Sequence, residues 1–186
     1  MAHRQLKRAE MRPEPPDTPP GGFTWESLME MALLEARKAA EIHETPIGAV
    51  LLSPEGEIIA KAHNRSITDI DPSAHAEMQC LRIGAEALQN YRLRNCIMVV
   101  TLEPCIMCLG AMLHARIAGV VYAATDPKTG TIHSNLDGCA LPFSNHKIWA
   151  IDGIYKEKSV SLIQSFFRER RARQKELKKL AEKGSE

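Results

Sequence analysis

Apolar and polar residues recur along this chain at two periods, and each change of period marks an element. Thr24 is suited to capping a helix, and Leu28, Met31, Ala32, Leu34 and Ala39 follow at helical spacing to about His43. Ile47–Leu52 is a short apolar run, Ser53-Pro54-Glu55-Gly56 is turn chemistry, and Glu57–Ala62 is a second run, which predicts a hairpin. Asp71-Pro72 predicts a helix start, with Asp as cap and Pro in the first turn, running to about Gln89. Ile97–Leu102 and Gly119–Ala124 are apolar enough to be buried strands, and Pro104 opens a short helix to Ala115 between them. Lys147–Ile151 reads as a last strand of thin apolar content, and Ser159–Lys183 as a long C-terminal helix. Strands alternating with helices predict a layered α/β domain with parallel pairs in its sheet.

Composition narrows this picture. The chain has 186 residues, 44% hydrophobic and 25% charged, the profile of a soluble globular domain and not of collagen, a rod or a disordered chain. No apolar run reaches the ~20 residues of a membrane span. Residues 1–22 carry five of the eleven prolines and Gly21-Gly22, which predicts a flexible arm. That arm lacks the apolar stretch of a secretory signal, and Glu10, Glu14 and Asp17 argue against an organelle transit peptide. Five cysteines, an odd and unevenly spaced set, point away from a disulfide framework and toward a reducing cytoplasm with metal-binding or catalytic thiols. The net charge of +1 hides an asymmetry, because residues 168–183 carry a local +5 and residues 23–167 a local −4. A basic end on a slightly acidic body suits an anionic partner, although charge alone fits a solvated helix at least as well.

The chemistry is concentrated in His75-Ala76-Glu77 and, 28 residues beyond Glu77, Cys105 and Cys108 of Pro104-Cys105-Ile106-Met107-Cys108. Two cysteines three apart at a helix start face the same way, and the positive end of the helix favours the thiolates that zinc requires. His75 supplies a third ligand, which leaves the fourth tetrahedral position open for water, as in a catalytic site. Glu77 lies two residues from His75, offset around the helix, and can serve as the proton carrier without being a ligand. A structural zinc site would want a fourth ligand, yet Cys80, Cys96 and Cys139 form no second pair and read as buried or idle thiols. A Cys-x-x-Cys taken alone would also fit a redox pair, a weaker reading here than structural zinc. His-x-Glu followed by Pro-Cys-x-x-Cys is the signature of zinc-dependent deaminases.

The match extends beyond that signature. Asn90-Tyr91-Arg92-Leu93, Thr101-Leu102-Glu103-Pro104, Gly110-Ala111-Met112, His114-Ala115-Arg116-Ile117, Asp126-Pro127-Lys128-Thr129-Gly130 and Phe166-Phe167-Arg168 together resemble the bacterial tRNA-specific adenosine deaminases, over about Phe23 to Arg173. The resemblance implies a three-layer α/β/α cytidine-deaminase-like fold with a mixed five-stranded sheet. It implies one zinc ion per chain on His75, Cys105 and Cys108, with Glu77 as proton shuttle. It matches Asn64 to a residue that touches the target base, and Asp126 and Lys128 to a loop against the anticodon strand. Phe167, Arg170 and Arg171 match a C-terminal helix beside the RNA. The implied reaction is adenosine to inosine at the wobble position of a tRNA, an arginine tRNA in this family, by a cytoplasmic homodimer. The implied organisation is an arm (1–22), a deaminase domain (23–173) and a basic helix end and tail (174–186). Thr131–Phe143 departs from the family wording, notably at Ile132, His133, Cys139 and Leu141, and the arm has no counterpart. The alternative enzyme is a deaminase of a free nucleobase or nucleotide, guanine or cytosine, which needs no basic helix. A catalytically silent RNA-binding domain is the alternative that is not an enzyme, and Glu77 argues against it. Aromatic and basic residues mixed at Phe166–Arg173 suit stacking and phosphate contact on single-stranded RNA, while packing onto the domain would equally explain the two phenylalanines.

Overall fold

The computed structural model describes residues 13–183. Helix α1 (Trp25–Glu41) starts where the capping chemistry predicts. The Ser27 amide donates to Thr24 Oγ1 at 3.1 Å and the Thr24 amide donates to Ser27 Oγ at 3.0 Å, a reciprocal capping box. Its buried stripe is Leu28, Met29, Ala32, Leu33, Ala36 and Ala39. The predicted stripe included Leu34, which is instead 49% exposed: where two leucines adjoin, only packing decides which one faces the sheet.

Strands β1 (Gly48–Leu52) and β2 (Ile58–His63) form the predicted antiparallel hairpin. Helix α1 approaches β1 so closely that a Cβ at Gly48 would lie 2.1 Å from the Ala32 carbonyl oxygen. Helix α2 (Ala76–Ala87) begins later than predicted, with His75 and not Asp71 at its N-cap. Asp71 Oδ1 is occupied by the amide (2.8 Å) and hydroxyl (2.7 Å) of Ser73, a turn of its own, while the first free amide of the helix, Ala76, donates to Asn64 Oδ1 at 2.9 Å. Strand β3 (Ile97–Leu102), helix α3 (Ile106–Ala115), strand β4 (Gly119–Ala124) and strand β5 (Trp149–Asp152) follow. Helix α4 (Lys156–Lys183) starts three residues before its predicted start.

The sheet order is β2-β1-β3-β4-β5, with β1 antiparallel to both neighbours and β3, β4 and β5 parallel. The sheet is thus mixed and five-stranded, as expected. Side chains alternate across it into two apolar clusters. One joins Val50, Val99 and Val121 to α1, and the other joins Leu51, Met98, Val100 and Tyr122 to α2 and α3. Helix α4 packs on the α1 side, where buried Ser159 donates to the Thr101 carbonyl at 2.5 Å. From Arg168 onward its described side chains are exposed.

The first half of the expected arm lies outside the described residues. In the described remainder, residues 13–22, all but Pro19 and Pro20 are exposed; the Trp25 indole donates to the Asp17 carbonyl at 3.2 Å, and Gly21 lies against Gly56 of the hairpin turn. Among the described residues, no helix is long and apolar enough to cross a membrane.

Candidate active site

Two helix N-termini meet at this site. Cys105 is the N-cap of α3 and Cys108 lies in its first turn; His75 is the N-cap of α2 and Glu77 lies in its first turn. Both caps hold extended backbone (φ −77°, ψ 172° at Cys105; φ −73°, ψ 154° at His75). Neither side chain makes a capping bond to its helix, which leaves both to meet each other. Cys105 Sγ lies 3.7 Å from His75 Nδ1 and 3.7 Å from Cys108 Sγ, and Cys108 Sγ lies 3.5 Å from His75 Nδ1. Ligands about 2.3 Å (sulfur) and about 2.0–2.1 Å (nitrogen) from a tetrahedral zinc are separated by about 3.5–3.8 Å. The three donors therefore fit a zinc ion in both type and spacing. Among the described residues, they are the group of three or more His, Cys, Asp or Glu that could hold a metal.

The electrostatics treat the two thiols differently. The hydrogen bond from Cys108 Sγ, joined by His75, pulls the Cys105 thiol down to about 4. The same bond, with burial, pushes Cys108 up. His75 is raised, first by its bond to Cys105. Glu77 is 4% exposed, and burial raises its carboxyl above the usual carboxylate range. A buried acid with a raised pKa beside a metal-competent trio is suited to taking and returning protons.

Asn64 lies at the end of β2 and is buried. Its Oδ1 is committed to the first turn of α2, which leaves its amide nitrogen as the group that can face a base. The loop between β2 and α2 is clamped by Glu44, whose Oε1 accepts from the Ile67 and Thr68 amides, both at 2.7 Å. Asp126 and Lys128 lie in the loop after β4. Asp126 folds that loop locally, Oδ1 accepting from the Lys128 amide at 2.9 Å and Oδ2 from Thr129 Oγ1 at 2.6 Å, while Lys128 is exposed. Phe167, Arg170 and Arg171 belong to α4, in the layer opposite α2 and α3. Phe166 and Phe167 are both half-buried, edge to face with ring centroids 5.4 Å apart, and Arg170 and Arg171 are exposed. Arg173 Nη1 lies 3.1 Å from Nε2 of His43, the neighbour of Glu44, so α4 reaches the end of the sheet that carries the β2–α2 loop.

Sequence reasoning missed Glu103. It is 3% exposed and accepts hydrogen bonds from the amides of Asp126, Ile132, His133 and Ser134 and from the Ser134 hydroxyl. Burial alone would raise its carboxyl, but these donors hold it down at about 2. The available signal was an acid placed between an apolar strand and a proline, where no neighbour in sequence could pair it. The unusual wording of the Thr131–Phe143 stretch has a packing explanation. Ile132, Cys139 and Leu141 are buried, and the His133 ring bonds the hydroxyl of buried Tyr122.

A mixed sheet that brings one histidine, two cysteines and a buried glutamate together at two helix starts defines a metal-dependent deaminase domain. The chain belongs to the cytidine and deoxycytidylate deaminases, matching their zinc-binding region over residues 24–124, and within them to the tRNA-specific adenosine deaminases. It is 43% identical over 150 residues to the tRNA-specific adenosine deaminase of Haemophilus influenzae, covering 81% of this chain and 87% of that one. It is 40% identical over 154 residues to that of Bacillus subtilis, covering 83% and 95%. A solved structure from studies of A-to-I editing by tRNA:A34 deaminases at the wobble position superposes with a TM-score of 0.70 at 41% identity, covering 73% of this chain and 97% of that chain.

Proposed function

We propose that this protein deaminates adenosine to inosine at the wobble position of a tRNA anticodon, an arginine tRNA among the candidates. The observation that carries the reading is the trio at 3.5–3.7 Å with Glu77 buried beside it. His75, Cys105 and Cys108 would hold one zinc ion, which when bound supplies the Lewis acidity that acidifies a water molecule. Glu77 accepts a proton from the water that adds to carbon 6 of adenine and delivers it to the adjacent ring nitrogen. It then carries the second proton to the amino group, which leaves as ammonia, so that a C–N bond breaks as a C–O bond forms. Asn64 orients the base through its free amide nitrogen. Lys128 and the turn built by Asp126 receive the anticodon strand, and Phe167, Arg170 and Arg171 supply stacking and phosphate contact from α4.

The deaminase unit of this reading is residues 23–173, with 174–186 as a basic extension. It acts in the cytoplasm, as a homodimer. Ile106, 58% exposed beside the metal-competent cysteines, is an apolar side chain that a second copy would cover. Sedimentation at micromolar concentration tests the dimer, and a monomer there would remove it from the reading.

The deciding experiment compares ammonia release from an anticodon stem-loop with release from free adenosine, adenine, guanine and cytosine. Turnover of the stem-loop alone, with inosine at the wobble position, is expected. Turnover of guanine or cytosine in its place would assign the free-base reaction.

A further inference from the structure

Glu103 takes no part in the chemistry described above, yet it is the most heavily bonded carboxylate among the described residues. It lies two residues before Cys105, between β3 and α3. All five of its donors come from the far side of β4, 23 to 31 residues away: Asp126 N at 2.9 Å and the Ser134 hydroxyl on Oε2, and Ile132 N (2.9 Å), His133 N (2.8 Å) and Ser134 N (2.9 Å) on Oε1. The loop leans on the same strand-to-helix junction again nearby. Thr131 donates its amide (3.0 Å) and hydroxyl (3.1 Å) to the Pro104 carbonyl, and Gly130 bridges to Cys105. Gly130 has no room for a side chain, since a Cβ there would sit 2.4 Å from Glu103 Oε2.

The inner part of this loop is packed, with Ile132 in the core and the His133 ring on the Tyr122 hydroxyl. Its outer residues, Thr125 and Pro127–Thr129, are exposed, so packing does not fix them. Its inner backbone amides need acceptors, and the Glu103 carboxylate accepts from four of them at once. Because that carboxylate is part of the junction that presents Cys105, any shift of the loop against the metal helix must break bonds to Glu103. The geometry points to Glu103 as a positioning residue: it fixes the 126–134 loop relative to the Cys105–Cys108 turn and so sets where the nucleic-acid strand lies relative to the reacting centre. This rests on the proposed reading that the loop receives RNA. It concerns strand binding and not proton transfer.

The test is Glu103→Gln, which keeps the size of the side chain but turns one oxygen into an NH2 group that faces N–H donors. The expected variant keeps one zinc per chain, raises KM for the anticodon stem-loop by about tenfold or more, and keeps kcat at saturation within about threefold. Amide hydrogen exchange at 126–134 should quicken while that of β3 and β4 stays slow. A fall in kcat at unchanged KM, or a loss of zinc, would overturn the proposal, because Glu103 would then serve the metal turn and not the strand. Should Glu103→Gln fail to fold, Ser134→Ala removes one donor of the five and carries the test: faster exchange with a raised KM supports it, and an unchanged KM overturns it. If the wild-type protein itself does not turn over the stem-loop, the proposed function fails. If the wild type does and the variants match it in KM, the role of Glu103 alone fails.

Discussion

Glu77 and Glu103 are both buried acids, and their environments push them in opposite directions. Glu77 sits where burial dominates and its carboxyl is raised, which suits the proton carrier proposed above. Glu77→Gln is expected to retain zinc, measured by metal analysis, and to bind the anticodon stem-loop, while kcat falls by at least about 10²–10⁴-fold as the proton transfers fail. Substantial turnover in that variant would mean the proton path runs elsewhere. At Glu103, bonding overcomes burial, and a carboxyl of ordinary value 4.5 is held at about 2. A depressed folded-state pKa contributes stability that is fully present above about 4.5 and is lost as pH falls through about 2. The melting temperature of the wild type should therefore exceed that of Glu103→Gln at pH 6, and the gap should narrow between pH 4.5 and 2. All other titrating groups are common to the two proteins, so the difference reports this carboxylate. A gap independent of pH would remove the ionised state from the explanation.

At the scale of the element, the contrast lies between the two helix starts. Thr24 caps α1 from within its own sequence, three residues from its partner Ser27, and that cap was legible as a Thr before an apolar period. The start of α2 was not legible, because its amide partner is Asn64, twelve residues away across a loop, and Asp71 is taken by its own turn. The two caps make a matched pair of variants. Thr24→Ala and Asn64→Ala should each cost about 1 kcal/mol of stability in urea unfolding. Only Asn64→Ala should also weaken zinc retention against a chelator, since it frees the turn that carries His75 and Glu77. Equal zinc retention in the two would show that the first turn of α2 is held by other contacts. The same distinction explains Leu34: the helical period was visible, but the phase of the stripe depends on which leucine meets Val50 and Val99.

At the scale of the whole molecule, charge is divided between layers. The metal-competent trio lies with α2 and α3, and the basic residues 168–183 extend from the opposite layer, with Arg173 against His43 at the end of the sheet that carries the β2–α2 loop. A strand running from the trio toward α4 would meet both. Arg170→Ala combined with Arg171→Ala should weaken stem-loop binding most at low salt, with zinc content and melting temperature unchanged. The slope of log affinity against log salt should flatten by about 0.7 for each phosphate that the protein no longer neutralises. An unaltered salt slope would make these arginines a solvated surface. The strand would then have to be held by Asn64, Asp126 and Lys128 alone.

The sequence by itself determined the period of each element, the alternation that makes a layered α/β domain, and the presence of His75, Glu77, Cys105 and Cys108, because these are local patterns. Residues three apart on one helix turn are neighbours in any fold that keeps the helix. What only the tertiary structure decided depends on partners distant in the chain: the join of His75 to Cys105 across 30 residues, the cap of α2 by Asn64, and the anchoring of the 126–134 loop on Glu103. An isolated glutamate before a proline looks the same whether it faces water or five donors. The difference appears only when β3 and β4 lie side by side and bring the donors to it.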